Sequence, residues 1–275
     1  MSRPAAAASV VTGALVLVAL VGGASPAALR GDRPSGSLDL LSSAHATSAQ
    51  PSVSEAAFDI ARVRSSSVEA DTAALASSTC DGCVTESTAL HVVYATRTRS
   101  AELDNVADAW SQGCTRCASS ALSVQVVVLR GRPVAVPTNR AVALNAACDT
   151  CRTSALAFQV VLVSDEAAPL SNAELADLRA WFDGQAATLR ASVALPDPED
   201  PTPTTPEPTA TTSATEKPTP YAVPSSPATT LPPPPLERPA RLTRRDATSA
   251  LDDLTTLLAE ALDAEPVSAD VEVGR

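Results

Sequence analysis

The feature that most constrains this chain is a pair of cysteines separated by two residues, which recurs three times at one fixed spacing. The pairs are Cys80/Cys83, Cys114/Cys117 and Cys148/Cys151, and each begins 34 residues after the one before. A constant period of this length is typical of architectures in which each structural repeat contacts mainly its neighbours. The chain is therefore predicted to stack these repeats against one another.

The residues after each cysteine pair predict the type of element in the repeat. In the third repeat, the bulky residues Leu156, Phe158, Val160 and Leu162 alternate with smaller or polar ones. Alternation with period 2 and many β-branched residues indicate strands, which rejects the helical tetratricopeptide of the same period. The predicted fold class is mainly β: stacked 34-residue units of strand, CxxC turn and strand. Stacking is expected to bury the bulky rows together.

Two polar positions recur in the same register in every repeat. They lie nine residues before and eleven residues after each first cysteine, and they are Asp71, Asn105, Asn139, and His91, Gln125, Gln159. We interpret them as polar ladders along the stack. His91 replaces a glutamine of the sister repeats, which predicts a ladder position and not a catalytic base. The sequence has no HExxH, GxSxG or phosphate-loop motif, so no catalytic residue, metal ligand or cofactor is predicted.

Segments on either side of the repeats are predicted to cover the stack. Ser171 to Glu174 fits a helix capping box, and Leu178, Trp181 and Phe182 follow on one helical face. This helix is expected to cover the bulky side of the sheet. Before the first pair, residues 57–63 resemble half a repeat without cysteines, which predicts a capping unit.

The start of the chain and its charge bear on location and partners. Residues 1–28 combine a short positive start with an apolar stretch, which predicts a signal peptide, with an uncleaved membrane anchor as the alternative. Export to the cell envelope or the medium follows from either. A net charge of -11 and a single lysine argue against nucleic acid, which is bound by clustered basic residues. The excess of arginine over lysine and the many alanines are typical of an actinobacterial, GC-rich genome.

The composition divides the remainder into four segments. Residues 29–53 are predicted to be a disordered mature N-terminus, 54–195 the repeat domain with its helix, 196–240 a disordered Pro/Thr-rich linker, and 241–275 a tail with one amphipathic helix. The tail helix has two open interpretations: docking on the repeat domain, or binding a partner helix. If the tail lies outside the core, residues 54–195 should fold alone and melt at nearly the temperature of the whole chain.

The cysteines are compatible with structural disulfides, metal thiolates or a redox dithiol. Export favours disulfides, and because each repeat carries its own two cysteines, bridges within each CxxC are predicted. Two pairs could supply four zinc ligands, but at a longer spacing than in common zinc modules. A redox dithiol normally begins a helix, which lowers its thiol pKa, and here strands flank each pair.

One stretch of the third repeat resembles a known kind of sequence. Residues 139–163, with Asn139, both cysteines and Gln159, resemble a CxxC repeat of uncharacterised secreted actinobacterial proteins. They are also similar to the repeat region of some peptide zinc metalloproteases, whose HExxH motif this chain lacks. The resemblance covers residues 58–195 and implies an exported repeat module.

The sequence thus predicts a secreted, non-catalytic structural or binding module without cofactor, stabilised by disulfides. Its partner would be an extracellular or envelope protein or peptide that the sequence does not identify. Membrane contact is expected only if the N-terminal segment stays uncleaved. An accessory role in peptide processing or export is one alternative, and an extracellular metal-binding or thiol-redox protein is another.

Overall fold

A computed structural model of the chain describes residues 38–166, 168–195 and 241–274, so the predicted signal peptide and linker lie outside the described residues. The described part is a parallel β-solenoid of four turns with two helices and a final strand. The elements are β1 Leu38–Ala46, β2 Ser52–Arg64, β3 Ser67–Ser78, β4 Val84–Thr96, β5 Ser100–Gln112, β6 Ala118–Arg130, β7 Val134–Ala146, β8 Arg152–Ser164, α1 Asn172–Ser192, α2 Arg244–Leu262 and β9 Glu265–Gly274.

Each turn of the solenoid adds one strand to each of two sheets. The odd sheet has the order β1-β3-β5-β7, and the even sheet has the order β2-β4-β6-β8-β9. Neighbouring strands from β1 to β8 pair in parallel, and β9 pairs antiparallel with β8. The CxxC segments are the corners that lead from an odd strand to an even one. The predicted unit of strand, CxxC turn and strand is therefore confirmed, as is the mainly β stack.

The even sheet is buried on both faces, as parallel sheets usually are. Its inner face, toward the odd sheet, carries small residues such as Ala89, Ala121 and Ala155. Its outer face carries the bulky rows, including Leu122 and Phe158, and these form the main core with the helices. Small side chains let the two sheets approach closely, while the large ones fill the wider space under the helices.

Helix α1 covers the bulky rows as the sequence predicted. The Ser171 hydroxyl accepts a hydrogen bond from the Glu174 amide, and the Glu174 carboxylate accepts one from the Ser171 amide, which completes the capping box. Leu178 and Phe182 are buried on the inward face. The Trp181 ring meets Phe158 edge to face with centroids 5.1 Å apart, so both aromatics belong to the core.

The tail is part of the same core, which settles the two interpretations of its helix in favour of docking. Helix α2 packs beside α1 on the even sheet and contributes six buried residues: Ala247, Ala250, Leu251, Leu254, Leu258 and Leu262. The predicted boundary at residue 195 therefore cuts through the core. The expectation that residues 54–195 melt like the whole chain assumed that the tail is not docked. In the structure the tail is docked, so this assumption is wrong.

Strand β9 closes one end of the stack. It runs along β8, and its last residue approaches the backbone of β7 so closely that a Cβ on Gly274 would lie 2.6 Å from Ala143 N. Only glycine fits there without displacing β7. An unpaired sheet edge is a template for aggregation, and β9 removes that edge from β8.

The stack begins earlier than the sequence analysis predicted. Residues 38–46, assigned to a disordered N-terminus, form β1, which pairs with β3 along its whole length. Residues 57–63 are accordingly the middle of β2 in a complete first turn and not half a repeat. The strand registers align Ser48 and Pro51 with Cys80 and Cys83, so this turn has a corner without cysteines. Searching with the cysteine motif could not find it.

The CxxC corners require a left-handed backbone at one position. The residue before the second cysteine has a positive φ in all three pairs: 70° at Gly82, 56° at Arg116 and 54° at Thr150. Glycine adopts this conformation freely, whereas other residues are strained in it by about 1–2 kcal/mol. The β-branched Thr150 is the least suited of the three.

Replacing Thr150 by glycine is therefore expected to stabilise the protein. The relieved strain exceeds the extra entropy that glycine loses on folding, which leaves a gain of about 0.5–1 kcal/mol in the free energy of unfolding. Asp149→Gly in the same corner is the control, because Asp149 has no positive φ and should lose about that amount. Urea unfolding measures the free energy of unfolding of both variants. Equal destabilisation by the two substitutions would contradict the proposed backbone strain at Thr150.

Candidate functional site

The predicted polar ladder of the even sheet lies inside the solenoid. His91, Gln125 and Gln159 are at most 2 % exposed and occupy one row across β4, β6 and β8. The Gln159 amide donates to the Gln125 side-chain oxygen at 2.8 Å, and the Gln125 amide donates to the Thr72 hydroxyl at 3.1 Å. Thr72 shares a 3.0 Å hydrogen bond with His91 Nδ1. His91 is thus a member of a buried network, as predicted.

The ladder of the odd sheet confirms two of its three predicted members. The Asn105 amide donates to the Asn139 side-chain oxygen at 2.8 Å and to the Phe158 carbonyl at 2.9 Å. The Ser123 hydroxyl donates to the Asn105 oxygen at 2.6 Å. The third predicted member, Asp71, is wrong: it lies on the exposed outer face, and its neighbour Thr72 occupies the row of Asn105.

The network ends on a residue that the sequence analysis missed. The Asn139 amide donates to the Asp270 carboxylate and to the Asp270 carbonyl, both at 3.2 Å, so β9 closes the ladder as well as the sheet. Such a chain of buried hydrogen bonds fixes the register of the strands, because any slip would leave polar groups unpaired. The two ladders hold the solenoid together, and His91, Asn105, Gln125 and Gln159 are buried in its interior.

The cysteines form a second row of chemically distinctive groups, along the corner that joins the sheets. Cys80 is bonded to Cys83, and Cys114 to Cys117, so bridges within a CxxC are present in two of the three pairs. Each closes a corner between two strands. Crosslinks of this kind stabilise mainly by restricting the unfolded chain.

The third pair differs from the other two. Cys148 and Cys151 are free thiols in this structure and are half-buried in the last turn. Their sulfur atoms and that of Cys114 lie within 4.8 Å of one another. Burial raises the pKa of the Cys151 thiol, against a backbone hydrogen bond from Cys117 that lowers it. The predicted local bridge is thus not formed here.

The outer face of the odd sheet is the third candidate site. Unlike the even sheet, it carries no helix among the described residues. Large apolar side chains on it are exposed to solvent, among them Leu41 at 58 %, Val142 at 49 % and Leu144 at 55 %. Trp110 lies between Ser77 and Leu144 in one row of this face and is half-exposed. We call this outer surface of β1, β3, β5 and β7 the open face.

Five of the six carboxylates of the open face lie toward one end. The strand registers place Asp39, Asp71 and Asp104 in one row and Glu69 beside Glu102 in the next. Partial burial and then the neighbouring carboxylates raise the pKa of Asp71. The guanidinium of Arg140 contacts Asp104 at 3.5 Å, and an exposed ion pair of this kind stabilises only weakly. A positively charged group would relieve the repulsion.

Comparison with protein-family models, with curated proteins and with solved structures finds no match to this chain. Neither of the two described helices has a segment long and apolar enough to cross a membrane. The assignment of a role therefore depends on the chemistry of the ladders, the cysteine row and the open face.

Proposed function

We propose that the protein is an exported, disulfide-stabilised solenoid that acts as a structural or binding module at or outside the cell envelope, with the open face as its binding surface. The observation that carries this proposal is the asymmetry of the two sheets. The even sheet is covered by α1 and α2, whereas the open face leaves five large aliphatic side chains about half exposed or more: Leu41, Val134, Val136, Val142 and Leu144. Exposed apolar surface of this kind typically marks an interaction site.

The charge of the open face selects the class of partner. It carries Asp39, Glu69, Asp71, Glu102, Asp104 and Asp108 on its outward side, against one arginine, Arg140. A second copy of the chain would bring like charges together. An extracellular protein or peptide with basic and apolar residues would instead match this face, because carboxylates and exposed aliphatic side chains lie side by side on it, Glu102 beside Val136 and Asp108 beside Val142.

Export and disulfides support each other in this proposal. Bridges persist mainly in oxidising compartments, and the sequence predicts a signal peptide at residues 1–28. The interior ladders add rigidity, which lowers the entropic cost of presenting a binding face. An accessory role in peptide processing or export rests on the resemblance alone and stays a prediction.

The chain contains a spectroscopic reporter for this binding surface. It has two tryptophans, Trp110 on the open face and Trp181 in the core, so Trp181→Phe leaves Trp110 as the only one. We expect a synthetic leucine/lysine peptide to shift the Trp110 emission to the blue and an equally long leucine/glutamate peptide to leave it unchanged. The shift should weaken with added salt, because exposed charges are screened.

Two matched substitutions locate the interaction. Leu144→Arg places a positive charge beside Trp110 and should weaken peptide binding by about tenfold, or about 1.4 kcal/mol. Val267→Arg is the control, because Val267 is 52 % exposed but lies on β9, away from the open face. Equal binding by both variants, or binding of the acidic peptide, would refute the proposed surface.

A further inference from the structure

The cysteine row contains a contact that a purely structural set of bridges does not need. The Cys114 sulfur, already bonded to Cys117, lies 3.7 Å from the Cys148 sulfur and 3.7 Å from the Cys151 sulfur. A disulfide of the third turn therefore faces a dithiol of the fourth turn across neighbouring strands. This juxtaposition is independent of the open face and of its partner.

We propose that the last two CxxC corners form a thiol–disulfide exchange site, in which Cys114 passes a bridge between the third and the fourth turn. The thiolate of Cys148 attacks the Cys114 sulfur, and the bond between Cys114 and Cys117 breaks. The electron pair leaves on the Cys117 sulfur, which takes up the proton that Cys148 released. A mixed disulfide between Cys114 and Cys148 results.

A second exchange completes the transfer. The Cys151 thiolate attacks the Cys148 sulfur of the mixed disulfide, Cys114 leaves as a thiolate, and it takes up the proton of Cys151. The bridge now joins Cys148 to Cys151, while Cys114 and Cys117 form the dithiol. Because one disulfide and two thiols are present before and after, this isomerisation consumes no oxidant and no reductant. Attack by Cys151 first leads to the same product.

The orientation of the sulfurs explains why Cys114 is the exchange point. The Cys117 sulfur is turned toward the preceding turn, where it lies 3.2 Å from the Cys80 carbonyl oxygen. The Cys117 amide donates to the Cys151 sulfur at 3.2 Å, a bond that favours the Cys151 thiolate of the second step against the burial that raises its pKa. Cys114 and Cys117 are buried, whereas Cys148 and Cys151 are half-buried. The Cys148/Cys151 dithiol is therefore the part of the exchange site that a disulfide from outside the protein can reach.

This arrangement also defines the substrate class. A low-molecular-weight disulfide or an exposed protein disulfide would oxidise the Cys148/Cys151 dithiol to a bridge and would itself leave as two thiols. A bridge at Cys148/Cys151 can move inward to Cys114 in molecules in which Cys114 and Cys117 are the dithiol. Zinc, by contrast, prefers four ligands, and of the nearby sulfurs the three of Cys114, Cys148 and Cys151 converge, with Cys114 already bonded. The observations therefore favour exchange over a metal centre.

Full-length double variants test the exchange contact directly. Cys117→Ser/Cys151→Ser leaves Cys114 opposite Cys148, and Cys117→Ser/Cys148→Ser leaves Cys114 opposite Cys151. With oxidised glutathione as the oxidant, we expect each variant to lose both free thiols and to yield a peptide crosslinked between the two corners. Alkylation with iodoacetamide followed by mass spectrometry counts the thiols.

A third variant is the matched control. Cys114→Ser/Cys151→Ser leaves Cys117 and Cys148, and because the Cys117 sulfur faces Cys80, this pair should crosslink at least about tenfold more slowly. Crosslinking at the same rate in all three variants, or in none of them, would overturn the proposal. Circular dichroism of each variant shows whether the solenoid is folded.

The unaltered chain gives a test that does not depend on folding of the variants. Protein holding two bridges per molecule is equilibrated anaerobically, quenched with acid, alkylated and digested. We expect two isomers, one bridged at Cys114/Cys117 and one at Cys148/Cys151, together with a crosslink from Cys114 to the last corner. A single isomer at all times would refute exchange. Isolated protein that instead holds one bridge and four thiols protected by stoichiometric zinc would replace the exchange site by a metal site.

Discussion

Removal of residues 241–275 is expected to unfold the solenoid at room temperature or to lower its melting temperature by far more than 8 °C. Four leucines of α2 are buried against the bulky rows of the even sheet. Full burial of each contributes about 1.5–3 kcal/mol, so their loss removes about 6–12 kcal/mol. That is comparable to the whole stability of a typical domain, about 5–15 kcal/mol. Far-UV circular dichroism during heating measures the effect.

Two controls separate the loss of contacts from the shortening of the chain. Deleting residues 211–220 of the Pro/Thr-rich segment should change the stability by less than about 0.5 kcal/mol, because loop length acts weakly on closure entropy. Adding a synthetic peptide of residues 241–275 to the truncated chain should restore the cooperative transition. A truncated chain that melts like the full one would show that α2 and β9 do not stabilise the solenoid.

The sequence predicted the repeat because its signals are local. Alternation within each even strand and the capping box at Ser171 depend on neighbours a few residues apart, and both are present in the structure. The docking of α2 could not be derived in the same way. Its apolar stripe is equally suited to a partner helix, and the bulky rows that it covers are far away in sequence.

The error at Asp71 has a simple geometric origin. Counting from the cysteines assumes a constant spacing, but β3 pairs with β5 at a spacing of 33 residues, and β5 with β7 at 34. The extra residue lies just before Cys114, where Gly113 has a φ of 61°. Because side chains alternate along a strand, a shift of one residue moves every side chain to the opposite face.

Thr72, the residue of β3 that does lie in the row of Asn105, was nevertheless recognisable in the sequence. In β3 the residues Glu69 and Asp71 share one face, while Ala70 and Thr72 lie on the other, so alternation alone assigns Asp71 to the solvent side. Asp270 lacked any such signal, because β9 belongs to no repeat and reaches the ladder only by packing across β7 and β8. Local periodicity was therefore a better guide to the ladder than distance from the cysteines.

Replacing Asn105 by leucine is expected to cost on the order of 3 kcal/mol or more, the largest effect of a single substitution that we predict. Asn105 is fully buried and bonds four groups: the side chains of Asn139 and Ser123 and the carbonyls of Ser123 and Phe158. Each buried group left without a partner costs about 1–3 kcal/mol. Urea unfolding should show this loss, with a melting temperature lower by about 6–12 °C.

Companion variants distinguish the network from mere packing. Asn105→Thr should recover much of the loss, because Thr72 occupies the same row with a hydroxyl group. Thr138→Val on the exposed side of β7 should stay within about 0.5 kcal/mol of the parent. The double variant Asn105→Leu/Asn139→Leu should cost less than the sum of the single ones. Asn105→Leu takes the donor from the Asn139 side-chain oxygen, Asn139→Leu takes an acceptor from the Asn105 amide, and the double variant loses this one bond only once. Costs that simply add would show that the two amides stabilise the solenoid independently, and the ladder would not be a cooperative network.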